Sequence, residues 1–162
     1  MATLSAWKFD TPEGAELAEE LLLDLQRRHA IQVHDAATVS WPYEEKKPKT
    51  RQLHSLAGHR ALGGAFWGLF FGVLFVVPVL GVVVGAASGA ITGALTDVGI
   101  DDRFIKAVRT EVVQGTSALF VLSSAALLDE VRDTMVGLHP QLIQTNLTPE
   151  QEDALRSTFS ET

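Results

Sequence analysis

The 162-residue chain contains no cysteine. A disulfide framework, a zinc–thiolate site, an iron–sulfur cluster and a cysteine nucleophile are therefore excluded. Basic residues are also few, with 13 Lys and Arg against 20 Asp and Glu and a formal net charge of -7. Because nucleic-acid binding needs clustered cations, this balance argues against a nucleic-acid partner.

Charged residues are missing altogether from residues 61–96, a run of 36 positions. Pro78 divides the run, since proline lacks a backbone N–H and its ring clashes within a helix. We interpret the run as a hairpin of two helices, each about 24 to 27 Å long and so marginally able to cross a hydrocarbon core of about 30 Å. We predict membrane insertion. The alternatives are a soluble oligomer that buries its hairpins between subunits, and the core of a monomer.

Glycine recurs every four residues through both limbs of this hairpin. Each step of four residues advances about 40° around a helix, so the glycines form a narrow stripe suited to close helix contact. Each interior glycine costs a helix about 1 kcal/mol relative to alanine, a loss that close packing can offset. The predicted packing and oligomerisation residues of this glycine stripe, a glycine zipper, are Gly64, Gly68, Gly72, Gly81, Gly85, Gly89 and Gly93.

The two limbs differ in the size of their side chains. The second, from Gly85 to Ala94, is built mainly of glycine and alanine, so we expect it to pack inside, against its partner helix and other copies of itself. The first carries bulky side chains expected to face lipid. These are Phe66, Trp67, Phe70, Phe71 and Phe75.

Basic residues flank the hairpin on both sides, and the turn around Pro78 carries none. By the positive-inside bias, we predict that both termini lie on the cytoplasmic side of the membrane. Residues 1–9 lack the basic start and the apolar run of a signal peptide. The flanking residues are Lys46, Lys47, Lys49, Arg51 and Arg60 before the hairpin, and Arg103, Lys106 and Arg109 after it.

Outside the hairpin, periodicity and capping signals predict alternating strands and helices. The predicted strands are Leu4–Phe9, Ile31–Trp41, Ala118–Leu122 and Gln141–Leu147. The predicted helices are Glu13–His29, one capped by Asp101 and Asp102, one capped by Ser123 or Ser124, and Glu150–Phe159 after a Thr148–Gln151 capping box. Tyr43 to Thr50 is interpreted as a charged connection.

This order predicts an α+β fold, the ferredoxin-like split βαβ antiparallel sheet with both helices on one face. An unrelated α+β sandwich with the same element order is the alternative. We assign residues 1–55 and 98–162 to this domain and residues 56–97 to the inserted glycine-zipper hairpin, a transmembrane candidate.

No pattern of residues indicates catalysis, a cofactor or a metal. The five histidines, His29, His34, His54, His59 and His139, lack metal-binding spacings and are predicted to lie on the surface or in loops. A nucleophile elbow and a phosphate-binding glycine loop are both absent from the sequence. We therefore predict a non-enzymatic protein without catalytic, cofactor-binding or metal-binding residues.

Several segments together resemble a known family. They are GAFWGLFFGVLF and GAASGAITGAL in the hairpin, GIDDRFI at 99–105, SALFVL at 117–122 and TPEQEDAL at 148–155. The chain resembles the bacterial predicted-membrane-protein family catalogued as domain of unknown function 1269. The resemblance implies a protein of the bacterial inner membrane, and it implies no assigned activity, catalytic residue or cofactor.

Three kinds of function are consistent with these features. The preferred hypothesis is a membrane-associated protein that self-assembles through its glycine stripe, with lipid and further copies of itself as partners. The second is a small oligomeric pore lined by Ser88, Thr92 and Thr96. The third is a soluble homo-oligomer whose α+β domain senses a ligand or a partner. No small-molecule substrate is indicated.

Overall fold

A computed structural model describes residues 2–27, 33–52, 67, 70–72, 74–75, 100–124, 128–151 and 153–154. These residues form an α+β fold with a five-stranded antiparallel sheet. Its strands are β1 (Ala2–Phe9), β2 (Val33–Ser40), β3 (Lys49–Gln52), β4 (Ser117–Ser124) and β5 (Gln141–Leu147). Their order across the sheet is β3-β2-β4-β1-β5, and every neighbouring pair is antiparallel.

Three helices accompany the sheet, α1 (Gly14–Arg27), α2 (Asp102–Glu111) and α3 (Leu128–Met135), with a 3-10 turn at Val136–Leu138 after α3. Residues 67, 70–72 and 74 are also helical, as are residues 149–151, 153 and 154. Two predicted caps are confirmed. The Asp101 side chain accepts from the Phe104 N–H at 2.9 Å. Thr148 and Gln151 bond each other reciprocally, at 2.9 and 3.1 Å.

Strand β4 lies in the centre of the sheet, paired along its length with β1 and β2. Its side chains are buried, as the continuous apolar run predicts. Alternate residues point to opposite faces, so Leu119 and Val121 lie on the face covered by α1 and α3. Phe120 and Leu122 lie on the other face, which we call the aromatic face.

The aromatic face is covered by α2 and by a group of side chains from the uncharged run. We call this group the aromatic segment; its members are Trp67, Phe70, Phe71, Leu74 and Phe75. Trp67, Phe70 and Phe71 are at most 8% exposed. The expectation that they face lipid is therefore wrong, because the apolar face of the sheet buries them. Full burial of such a side chain contributes about 1.5–3 kcal/mol.

Two further details of the predicted elements need correction. Strand β3 lies partly in the segment interpreted as a charged connection, and it pairs with Ala37–Ser40 at the edge of the sheet. Its first three residues are exposed, as is typical of short, charged edge strands, so no apolar alternation marks it. Ser123 and Ser124 do not cap a helix, because β4 continues through both of them.

The chain leaves β2 and returns to β4 through a clamp at one end of the sheet. The Trp41 N–H donates to the Thr116 carbonyl at 2.9 Å, and the Gly115 N–H donates to the Trp41 carbonyl at 2.6 Å. Gly115 has a φ of 87°, and a Cβ there would lie 2.2 Å from Cζ of Tyr43. The left-handed backbone conformation therefore favours glycine, and a larger residue would also displace the exposed Tyr43 ring.

Candidate functional site

Gly72 is the member of the glycine stripe that falls within the described residues. It is helical and exposed, and no described atom lies within 4 Å of the position that a Cβ would take. The other six glycines, Gly64, Gly68, Gly81, Gly85, Gly89 and Gly93, lie outside the described residues. Close packing along the stripe therefore stays a prediction, as does the boundary of the insertion at residues 56–97.

The opposite side of the same helical segment is attached to the sheet. Trp67, Phe70, Phe71 and Leu74 follow the i, i+3, i+4, i+7 spacing of one helix face, and all four are buried. The Phe70 ring meets Phe120 of β4 edge-on, with centroids 5.4 Å apart, and Phe71 meets it edge-on at 5.6 Å. These edge-to-face contacts are a favoured aromatic geometry. One face of the segment is thus fixed on the sheet.

A buried carboxylate adds a polar attachment on this face. Asp35 of β2 is 0% exposed. Its Oδ2 accepts from Trp67 Nε1–H at 3.0 Å, and its Oδ1 accepts from the Ala36 N–H at 2.8 Å. The register of β2 shifts between Val33 and Asp35, which marks a β-bulge at this point. A buried carboxylate needs hydrogen-bond partners. The bond to Trp67 therefore fixes the indole of the insertion to strand β2.

The sequence analysis does not assign this role to Asp35. The available signal was a lone carboxylate inside an otherwise apolar and small-residue strand, since such a group is buried only when it is bonded.

A groove between α1 and the edge of the sheet is the second polar feature. Arg51 of β3 donates to Glu19 of α1, and the side chains of Arg51 and Glu19 are 59% and 10% exposed. Lys49, Glu16 and Thr38 also line this groove, whose cavity is about 310 Å³. Because β3 was not predicted, the sequence did not indicate that these charges meet.

The serine hydroxyl group in this groove has a structural role. Ser40 Oγ donates to the Pro12 carbonyl at 2.7 Å, which joins the end of β2 to the turn before α1. A catalytic serine instead donates to a neighbouring base, which takes up its proton. Ser40 therefore does not have the hydrogen bonding of an activated nucleophile.

The described residues contain no group of three or more His, Asp or Glu side chains that could hold a metal ion. His139 is exposed, as predicted, and His34 lies in β2. His29, His54 and His59 lie outside the described residues. The resolved pKa shift belongs to Asp10: its hydrogen bond to Lys8 Nζ at 2.8 Å and the charge of that ammonium lower the pKa of the carboxyl.

Within the described part of the chain, no helix combines the length and the apolar character that crossing a membrane requires. Comparison with known proteins gives one family. Residues 61–160 match the model of a family described as "Protein of unknown function (DUF1269)". No curated protein and no solved structure matches the chain.

Proposed function

The chain belongs to the DUF1269 family of proteins of unknown function, and this membership assigns no activity to it. We propose that it is a non-enzymatic protein that self-assembles through its glycine stripe. The observation that carries this proposal is the position of Gly72. It is exposed on the segment whose aromatic side chains are buried against the sheet.

The two sides of the segment have different roles in this proposal. Gly72 lies about 140° around the helix from Trp67, at about 100° per residue, and so faces away from the sheet. A glycine at this position makes the helix less stable than an alanine would, and it leaves the outer surface of the helix without a side chain. The gain is that the backbone of a second helix can approach closely, through van der Waals contact and weak Cα–H···O bonds.

A pair of glycine variants tests the proposal. Gly72→Leu should dissociate or rearrange the oligomer without unfolding the chain, because no described atom lies within 4 Å of its Cβ position. Gly137→Leu is the matched control, since Gly137 is also exposed and has nothing within 4 Å. Sedimentation velocity measures the mass of each variant. Equal masses for wild type and both variants would overturn a role for this part of the stripe.

The second limb of the hairpin provides a stronger perturbation of the same surface. Gly85→Leu and Gly89→Leu place bulky side chains in the middle of the proposed seam, where overpacking costs about 1–3 kcal/mol. Both should lower the oligomer mass further than Gly72→Leu does. A wild-type mass for both would mean that the spacing of glycines in the second limb serves something other than self-association.

Membrane association is a separate proposal and rests on a different observation. The uncharged run of residues 61–96 is long, and Lys and Arg residues occur on both sides of it. We place both termini on the cytoplasmic side of the bacterial inner membrane, with the α+β body against the membrane surface. Cell fractionation with an alkaline wash tests this. Recovery of a homo-oligomer in the detergent-free supernatant would contradict membrane association and favour the soluble homo-oligomer.

We propose the ferredoxin-like plan for the body formed by residues 1–55 and 98–162. The order β5-β1-β4-β2 across the sheet supports it, as does the packing of α1 and α3 on one face. In this plan β3 is an additional edge strand. An experimental structure of the full chain tests this proposal. A different placement of α3 or β5 would contradict the ferredoxin-like topology.

A further inference from the structure

We propose that a groove beside α3 binds a small molecule in which a carboxylate is joined to a flat apolar body. The groove lies between the end of α3 and the neighbouring strands β1 and β5, and its cavity is about 340 Å³. This falls within the usual range of about 300–1,000 Å³ for small-molecule sites. Its lining residues are Trp7, Arg132, Val136, His139, Pro140 and Leu142.

The apolar part of the groove is built by residues from three elements. Trp7 of β1 is itself 1% exposed, and Leu142 of β5 packs in the same core cluster. Val136 at the groove is 67% exposed, which is a high value for a large aliphatic side chain. An apolar body lying across these side chains would remove that surface from water, a gain of about 25 cal/mol per Å².

The charge of the groove comes from Arg132. No carboxylate is among the described residues that line it. Arg132 pairs with Asp129 at 3.5 Å, the outer limit for a hydrogen bond, and the Asp129 side chain is 88% exposed. Because a guanidinium has five N–H donors in a fork that matches a carboxylate, this weak pair leaves donors for an anion.

The backbone conformation of His139 fixes where its imidazole lies. His139 is the residue that ends the 3-10 turn, with a φ of 53° in the left-handed region, and its N–H donates to the Val136 carbonyl at 3.2 Å. A left-handed residue commonly ends a helix. Among the described residues His139 is the single non-glycine residue with a positive φ. This turn holds the imidazole at the groove.

This site is independent of the proposed self-assembly. Its residues lie on the α1 and α3 side of the sheet, whereas the aromatic segment and Gly72 belong to the other side. Failure of one proposal therefore leaves the other untouched.

The test uses 2-naphthoate as the probe and 2-naphthamide, its uncharged isostere, as the matched control. We expect 2-naphthoate to shift the NMR signals of the Trp7 indole and of residues 132–142 in the full chain. The amide should bind at least about 10-fold more weakly, since a hydrogen bond to a charged group is worth about 1.5–3 kcal/mol. No shift at millimolar probe, or equal binding of the two probes, would overturn the proposal.

Variants of the charged residues separate the site from general apolar binding. Arg132→Gln should weaken 2-naphthoate binding about 10-fold, and Arg132→Lys should restore part of it. Asp129→Asn should tighten binding, because it removes the competing carboxylate. Arg103→Gln, an exposed arginine of α2, is the control and should change nothing. Unchanged affinity in both Arg132→Gln and Asp129→Asn, or an equal loss in Arg103→Gln, would rule the site out.

Discussion

The two faces of the sheet are covered in different ways. On one face, α1 and α3 supply small and aliphatic side chains, among them Ala18, Leu22 and Val131. On the other, the cover is mainly aromatic and includes side chains from the uncharged run, with Asp35 buried beneath Trp67. The first face is covered by helices directly connected to the strands. The second is completed by residues of the insertion, whose Phe70 packs on Phe120 of β4, 50 positions further along the chain.

This difference shows that the insertion has a structural role in the core of the α+β fold. Phe70 stacks near Phe104 of α2, with centroids 6.2 Å apart, and contacts Phe120 of β4, so the insertion and the body share one core cluster. An apolar run that appears separable in the sequence therefore provides part of the interior of the α+β fold. Interiors are closely packed, so removing one layer exposes the face of the other.

Replacing residues 56–97 with a short Gly/Ser linker should have the largest effect. It removes three buried aromatic side chains from the aromatic face, and each costs about 3–5 kcal/mol when truncated. Their sum reaches the about 5–15 kcal/mol that stabilises a typical domain, so we expect an unfolded or molten product. Near-ultraviolet circular dichroism and a thermal melt measure this. A folded, detergent-free product would show that α1, α2 and α3 sustain the sheet without the aromatic segment.

The Asp35–Trp67 hydrogen bond allows an intermediate and more local test. Asp35→Ala removes the carboxylate that accepts from the Trp67 indole N–H and from the Ala36 N–H. Loss of the acceptor of a buried donor costs about 1–3 kcal/mol. Asp35→Asn keeps one carbonyl oxygen and should cost less. A double-mutant cycle of Asp35→Ala with Trp67→Phe, followed by urea unfolding, should give a coupling of about 1 kcal/mol. Strict additivity would mean that the bond contributes nothing to holding the insertion.

The smallest effect is expected at the margin of the aromatic face. Lys8 bonds the exposed Asp10 and lies 3.8 Å from Glu111 of α2. Because Lys8 lowers the pKa of Asp10, this contribution to stability is present above the ordinary carboxyl pKa and is lost as the pH falls through the lowered value. Lys8→Gln should raise the pKa of Asp10 towards its ordinary value in an NMR titration. The melting temperature at neutral pH should barely change, because Asp10 is exposed to solvent.

Much of the fold could be predicted because its signals are local. Asp101 and Thr148 precede their helices as caps, and the run around Leu119 is apolar enough for a central strand. What could not be predicted depends on distant partners. Apolar side chains such as Phe70 are equally suited to lipid and to a sheet face, so the pattern alone does not choose between them. Arg51 lies in a strand that has no apolar alternation, and its pairing with Glu19 follows from the folded register.

The clamp between Trp41 and Gly115 brings together the two ends of the segment formed by residues 42–114. Its two backbone hydrogen bonds continue the β2–β4 ladder, so the ends of residues 42–114 are fixed by the sheet itself. The entropic cost of closing a flexible loop rises only logarithmically, by about 0.6 kcal/mol for each doubling of its length. The register of β2 on β4 is therefore set by the residues at the two ends of this segment and does not depend on the number of residues between them.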